Sequence, residues 1–142
     1  MPCRILLPVD GSDGSVRAAR HVASIAAMVK DLEVHLLNVQ APGDDWMVRR
    51  MIKPEELAAM EKEWGEVAMV PAREILQAAG VKCTEHVVQG EVSKMIARLA
   101  SELGCDQIVM GARGQSSLGG LLMGSVATKV LQLADVPVTL VK

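Results

Sequence analysis

Five short strand-like runs recur along this chain, and the stretches between them carry helical periodicity. Four of the runs, Arg4 to Val9, Glu33 to Val39, Gln107 to Met110 and Pro137 to Val141, are rich in Ile, Leu and Val, as strands buried on both faces are. The remaining run, Lys82 to Val88, alternates Cys83, Glu85 and Val87 against Thr84, His86 and Val88, which suits a half-exposed edge strand. Strands alternating with helices imply a parallel sheet, and right-handed crossovers leave few ways to wind it. The expected fold is α/β: a five-stranded, mostly parallel sheet, doubly wound with helices on both faces, forming a single domain over residues 1–142.

The helices are bounded by local chemistry. Asp10-Gly11-Ser12-Asp13-Gly14-Ser15 is turn and N-cap material, and Val16, Ala19, Val22, Ala23, Ala26 and Ala27 follow at near-helical spacing as a small-residue face. Pro54-Glu55-Glu56 reads as a first turn, with proline at N1 and acids beside the positive end of the dipole. That helix should run to about Ala79 and stop at Gly80, with Pro71 introducing a kink or break near Val70. Val92, Met95, Ile96, Leu99 and Leu103 form another apolar stripe, ended by Gly104. Gln40 to Lys53 has no clean period and reads as an irregular connection.

Composition narrows the function classes. Fifteen basic and seventeen acidic residues give a formal charge of −2, with no basic block for nucleic acid. The apolar stretches fall short of the roughly 20 residues a membrane span needs. The opening residues read as a strand rather than a targeting segment, so a cytoplasmic location is expected. Cys3, Cys83 and Cys105 are widely spaced in apolar settings and are expected to be buried structural thiols in a reducing compartment. His21, His35 and His86 lack the paired spacing of a metal site and read as structural or surface residues. With no Phe or Tyr and nine Met, the core must be aliphatic with methionine as filler.

The stretch that points to a function is Gly111 to Ser125. Its five glycines let the backbone turn sharply and bring N–H groups close to a ligand, and Gly124-Ser125 opens a helix, expected from about Ser125 to Leu133. The free N–H groups and positive dipole end of that helix favour an anion, phosphate first among them. In a doubly wound sheet, ligands bind outside the carboxyl ends of the strands where the strand order reverses. If the first and fourth strands flank that point, Asp10 and Gly111 open into one crevice. The sequence has neither the Gly-x-x-x-x-Gly-Lys-Ser/Thr of a P-loop nor a Gly-x-Gly-x-x-Gly after the first strand.

The spacing Gly111-x-x-Gly114, nine residues, Gly124-Ser125 resembles the ATP-binding signature of the universal stress protein family. The resemblance extends along the chain through Ile5-Leu6-Leu7-Pro8-Val9-Asp10-Gly11-Ser12, Leu37-Asn38-Val39, Gln89-Gly90 and the closing Val136-Pro137-Val138-Thr139-Leu140-Val141. It implies a Rossmann-like sheet of the adenine nucleotide alpha hydrolase type, with ATP and Mg2+ in the switch-point crevice. Carried over by position, Pro8, Val9 and Asp10 line the nucleoside, Asp10 also standing near a magnesium-linked phosphate. Val39 meets adenine through its backbone, Met110, Gly111, Arg113 and Gly114 wrap the ribose and phosphates, and Gly124, Ser125 and Val126 hold the phosphates. It further implies a homodimer through Val136 to Val141. The leading expectation is a nucleotide-dependent regulatory or stress-response module read by an unidentified protein partner, with no catalytic residue nominated. Two alternatives stay open: a slow ATPase or adenylate-handling enzyme, and a dimeric interaction protein whose site is vestigial.

Overall fold

The computed structural model describes residues 1–41, 50–113 and 123–142. Gly114, Ser116 and Ser117, and most of the irregular connection after Gln40, lie outside the described residues. The elements alternate as β1 (Cys3–Pro8), α1 (Asp13–Ala26), β2 (Leu32–Gln40), α2 (Pro54–Ala78), β3 (Lys82–Gln89), α3 (Val92–Glu102), β4 (Gln107–Gly111), α4 (Ser125–Leu133) and β5 (Val138–Val141). All strands pair in parallel, in the order β3-β2-β1-β4-β5. The order runs outward from β1 to β3 and then reverses to β4 and β5, so the switch point lies between β1 and β4. The alternating run, β3, is an edge strand as its pattern requires.

Period-two alternation sends successive side chains of each strand to opposite faces, and each face has its own core. Ile5, Leu7, Val34, Leu36 and Val109 meet Ala18, Ala19 and Val22 of α1 and Met69, Ala72 and Leu76 of α2. Leu6, Leu37, Ile108 and Met110 meet Ile96 and Ala100 of α3 and Ala127 and Val130 of α4. Both cores are aliphatic, as the composition demands. Gly65 brings α2 onto the sheet: a Cβ there would come within 2.7 Å of Val87 Cγ1.

Three expectations need correction. The buried face of α1 is Gly14, Ser15, Ala18, Ala19 and Val22, so of the expected stripe Ala19 and Val22 are buried while Val16 and Ala23 are only half-buried and Ala27 is exposed. The smallest residues face the sheet and let the helix approach closely. Of the kink or break expected near Val70, the break is absent: α2 runs on through Pro71. The carbonyl that proline leaves without an N–H belongs to Val67, whose 68% exposure allows water to take it. Of the cysteines, Cys105 is buried, whereas Cys3 and Cys83 are only partly so. Burial still pushes the Cys83 and Cys105 thiols up to about 11, which keeps both protonated and unreactive near neutrality.

Candidate functional site

Where β1 and β4 diverge, a cleft of about 280 Å³ opens at their carboxyl ends. Its apolar walls are Val39, Val92, Ile96, Met110 and Ala127, and its rim carries Asp10, Ser12, Ser15, Arg113 and Ser125. Of the eleven residues singled out from sequence, Pro8, Val9, Asp10, Val39, Met110, Gly111, Arg113, Gly124, Ser125 and Val126 line this cleft, and Gly114 lies outside the described residues. Among the described lining residues, Asp10 and Arg113 are the two that carry charge.

The first wall is set by the turn after β1. Ser12 caps α1, its side chain accepting from the Ser15 N–H at 3.3 Å. The buried Ser15 hydroxyl donates to Asp10 Oδ1 at 2.8 Å and accepts from the Asp10 N–H at 2.9 Å. The Ser12 N–H also reaches Asp10 Oδ1, at 3.0 Å. Asp10 is thereby oriented at the cleft mouth by the same residues that start the helix. Among the described residues no group of three His, Cys, Asp or Glu converges to hold a metal. A Mg2+ at Asp10 would therefore draw most of its ligands from phosphate oxygens and water, the usual arrangement for this ion.

The base of the cleft is β2. Val9 N–H donates to the Leu37 carbonyl, and Gly90 N–H donates to the Gln40 carbonyl. In a parallel ladder, alternate residues direct their backbone groups to opposite neighbours, so Leu37 and Val39 face β1 while Asn38 and Gln40 face β3. Because β1 ends at Pro8, the N–H and C=O of Val39 point into the gap it leaves. Asn38 is missing from the residues read as functional. It is buried, and its Nδ2 donates to the Val9 carbonyl at 2.8 Å while Oδ1 accepts from Gln40 Nε2 at 2.5 Å. The Val9 peptide on the cleft wall is thus tied to β2 on both sides.

The second wall is the end of β4 and the start of α4. Gly111 lies against Gly14 of α1 so closely that a Cβ on Gly111 would stand 2.9 Å from the Gly14 carbonyl carbon. A Cβ on Gly14 would meet the Arg113 carbonyl oxygen at 2.2 Å. Beyond β4, Ala112 donates to the Val141 carbonyl at 2.9 Å and accepts from the Gly124 N–H at 2.7 Å. The excursion between Ala112 and Gly124 is closed at its base by that second bond. The N–H of Gly124 is therefore engaged within the protein. The Gly124 φ of −74° is one that any residue adopts, so no special backbone freedom is used there. The first-turn N–H groups of Ser125, Val126 and Ala127 have no intrahelical acceptor and define the electropositive end of the cleft.

One further contact was not foreseen. His35 and His86, distant in sequence, stand side by side on β2 and β3 with Nδ1 and Nε2 2.9 Å apart. Apart from this site, no described helix is long and apolar enough to cross a membrane.

The family model described as the universal stress protein family matches residues 1–142. A universal stress protein of Methanocaldococcus jannaschii is 32% identical over 139 residues, covering 98% of this chain and 81% of that protein. Among solved structures, that of the hypothetical protein MJ0577 superimposes with a TM-score of 0.86 at 30% identity, covering 100% of this chain and 96% of the other. A universal stress protein in complex with cAMP superimposes with a TM-score of 0.72 at 25% identity, covering 99% and 97% of the two chains. Sequence over the full length and fold agree, and the chain belongs to the universal stress protein family.

Proposed function

We propose that this protein binds ATP with Mg2+ in the cleft between β1 and β4 and acts as a nucleotide-dependent regulatory module. The observation that carries the reading is the order of chemistry along the cleft. An apolar slot with one backbone donor and one acceptor at Val39 gives way to an electropositive helix start at Ser125 and Val126. A purine with an amino edge fits the first, and phosphate oxygens fit the second. Gly111 and Gly14 let the backbone wrap closely without Cβ atoms in the way, and Arg113 adds a cation for the phosphates. Asp10 stands where it can meet the ribose or a water of the bound Mg2+. That a relative of similar fold was solved with cAMP supports an adenine nucleotide as the ligand class.

The test is calorimetric titration of ATP with Mg2+ into nucleotide-free protein, wild type beside Gly124→Leu. The backbone at Gly124 tolerates leucine, so the variant should keep its fold while the side chain blocks the phosphate end. An affinity at least roughly tenfold weaker in the variant is expected. Equal affinity in both would place the phosphates elsewhere, and the absence of binding to wild type would favour a non-nucleotide interaction protein.

Assembly through β5 belongs to the same proposal. β5 is the sheet edge, and its four residues are all half-buried, so a second copy could pair with its exposed backbone. Light scattering at tens of micromolar is expected to give twice the chain mass; a monomer would remove the dimer.

A further inference from the structure

His35 and His86 occupy neighbouring positions of one sheet face: His35 pairs with Thr84 and His86 with Leu37 in the β2–β3 register. Both are half-buried. Their ring centroids are 5.2 Å apart with planes inclined at 29°, and the Nδ1 to Nε2 separation is 2.9 Å. A neutral imidazole has one N–H and one bare nitrogen, so a contact of this length holds a single proton between the two rings. One extra proton on the pair leaves the hydrogen bond in place as a charge-assisted one. With an extra proton on each ring, two N–H groups face each other, both rings are cationic, and the contact cannot survive.

The surroundings do little to offset that repulsion. From β1 the nearby charge is Arg4, which Glu33 of β2 holds at 3.1 Å, and from β3 it is Lys82, paired in register with Glu33. The helices on this face, α3 and α4, carry Lys94, Arg98, Glu102 and Lys129, all exposed, with Lys94 and Lys129 beside Glu91 and Arg98 on Glu102. One carboxylate, Glu33, is thus shared between an arginine and the pair, so a doubly charged pair has no counter-ion of its own among the described residues.

We infer that the His35–His86 contact is a proton-operated clasp that fastens the β3 edge of the sheet to β2 and releases it when both imidazoles are protonated. β3 has no strand on its other side, so once the clasp opens it is held by its ladder to β2 and its contacts with α2. Burial, then the facing His86, holds His35 below its ordinary value of 6.5, with Glu33 pulling the other way. The unfolded chain therefore takes up the proton first. Stability contributed by keeping His35 neutral is present above about 6.5 and is lost as the pH falls below it, fully so only beneath the folded value. The strand so released is joined to the cleft, because Gly90 at its end donates to Gln40, the neighbour of Val39.

The experiment is native-state hydrogen exchange at pH 7.5 and 5.5, expressed as protection factors, on wild type, His35→Gln and His86→Gln. Glutamine keeps a donor and an acceptor at either position while removing one titrating ring. Between the two pH values the amides of residues 82–89 are expected to lose roughly fivefold more protection in wild type than in either variant, the equilibrium worth of one net hydrogen bond. Imidazole nitrogen spectra of wild type should show His35 taking up its proton below the ordinary value, and closer to it in His86→Gln. Equal loss of protection in all three proteins, or a His35 protonation unchanged by His86→Gln, would overturn the clasp.

Discussion

Gly14→Ala is expected to lower both the melting temperature and the affinity for nucleotide, although alanine is ordinarily the better helix residue. The propensity gain is about 1 kcal/mol in a helix interior and smaller in a first turn. Against it stands a steric conflict that side-chain rotation cannot relieve. The new methyl would sit 2.2 Å from the Arg113 carbonyl oxygen, a backbone atom at the root of the glycine-rich excursion. Either α1 lifts away from β4, opening the core that Ala18, Ala19 and Val22 close, or the Arg113 peptide swings toward the cleft. Overpacking of this kind costs about 1–3 kcal/mol, and a clash with backbone belongs at the upper end, so the loss exceeds the gain. Thermal unfolding and titration of ATP measure the two effects separately. Binding should weaken at least roughly tenfold even at temperatures where the variant is folded. A variant with unchanged melting and unchanged affinity would mean that the close approach of α1 to β4 does not shape the cleft.

The second large effect lies in the core beneath the site. Leu6 is fully buried in the central strand, packed in the cluster that contains Leu37, Ile96, Ile108 and Ala127. Leu6→Ala removes about three methylene equivalents and leaves a cavity that β1, held by β2 and β4, cannot close by shifting. A loss of about 3 kcal/mol is expected. Leu131 on α4 is 45% exposed and serves as the comparison, since Leu131→Ala should change stability by no more than about 0.5 kcal/mol. Chemical denaturation of the two variants against wild type reads the difference directly. Equal effects would mean that the β1 face toward α3 and α4 is not the packed core described here.

Much of this architecture is legible before any coordinates, for local reasons. The apolar runs are strands of a parallel sheet, and the run at Lys82 to Val88, which carries Lys82, Thr84 and Glu85 exposed, is one of its two edges. The helix from Ser125 to Leu133 has the predicted bounds, since a glycine before it and Ala-Asp-Val-Pro after it are local stop signals. Asp10, Gly111 and Gly124-Ser125 are recognisable because turn chemistry concentrates at the carboxyl ends of β1 and β4, where a doubly wound sheet places its crevice, whereas Pro8, Val9, Val39 and Met110 come from the family resemblance.

What escapes sequence reading depends on contacts between distant segments. Gly14 looks like one more turn residue until Arg113 is seen lying on it. Asn38 looks like a polar interruption in an apolar strand until its amide is seen holding the Val9 carbonyl. His35 and His86 show no paired spacing because their partnership is created by the register of β2 on β3, which neither segment specifies alone. Pro71 fails to break its helix because the carbonyl it orphans belongs to a residue on the solvent side, and local rules for proline assume no such outlet.

If one cleft, walled by β1, β2, β4 and the start of α4, receives the base and the phosphates of a single nucleotide, binding must perturb all of its walls together. Backbone amide spectra of nitrogen-15-labelled protein, recorded as ATP with Mg2+ is added, test it most directly. The largest shifts are expected on Val9 to Ser12, Val39, Met110 to Arg113 and Ser125 to Ala127, while Lys82 to Glu85 at the far end of the β3 edge stay in place. Shifts confined to other surfaces, or a spectrum unchanged at millimolar ATP, would contradict it.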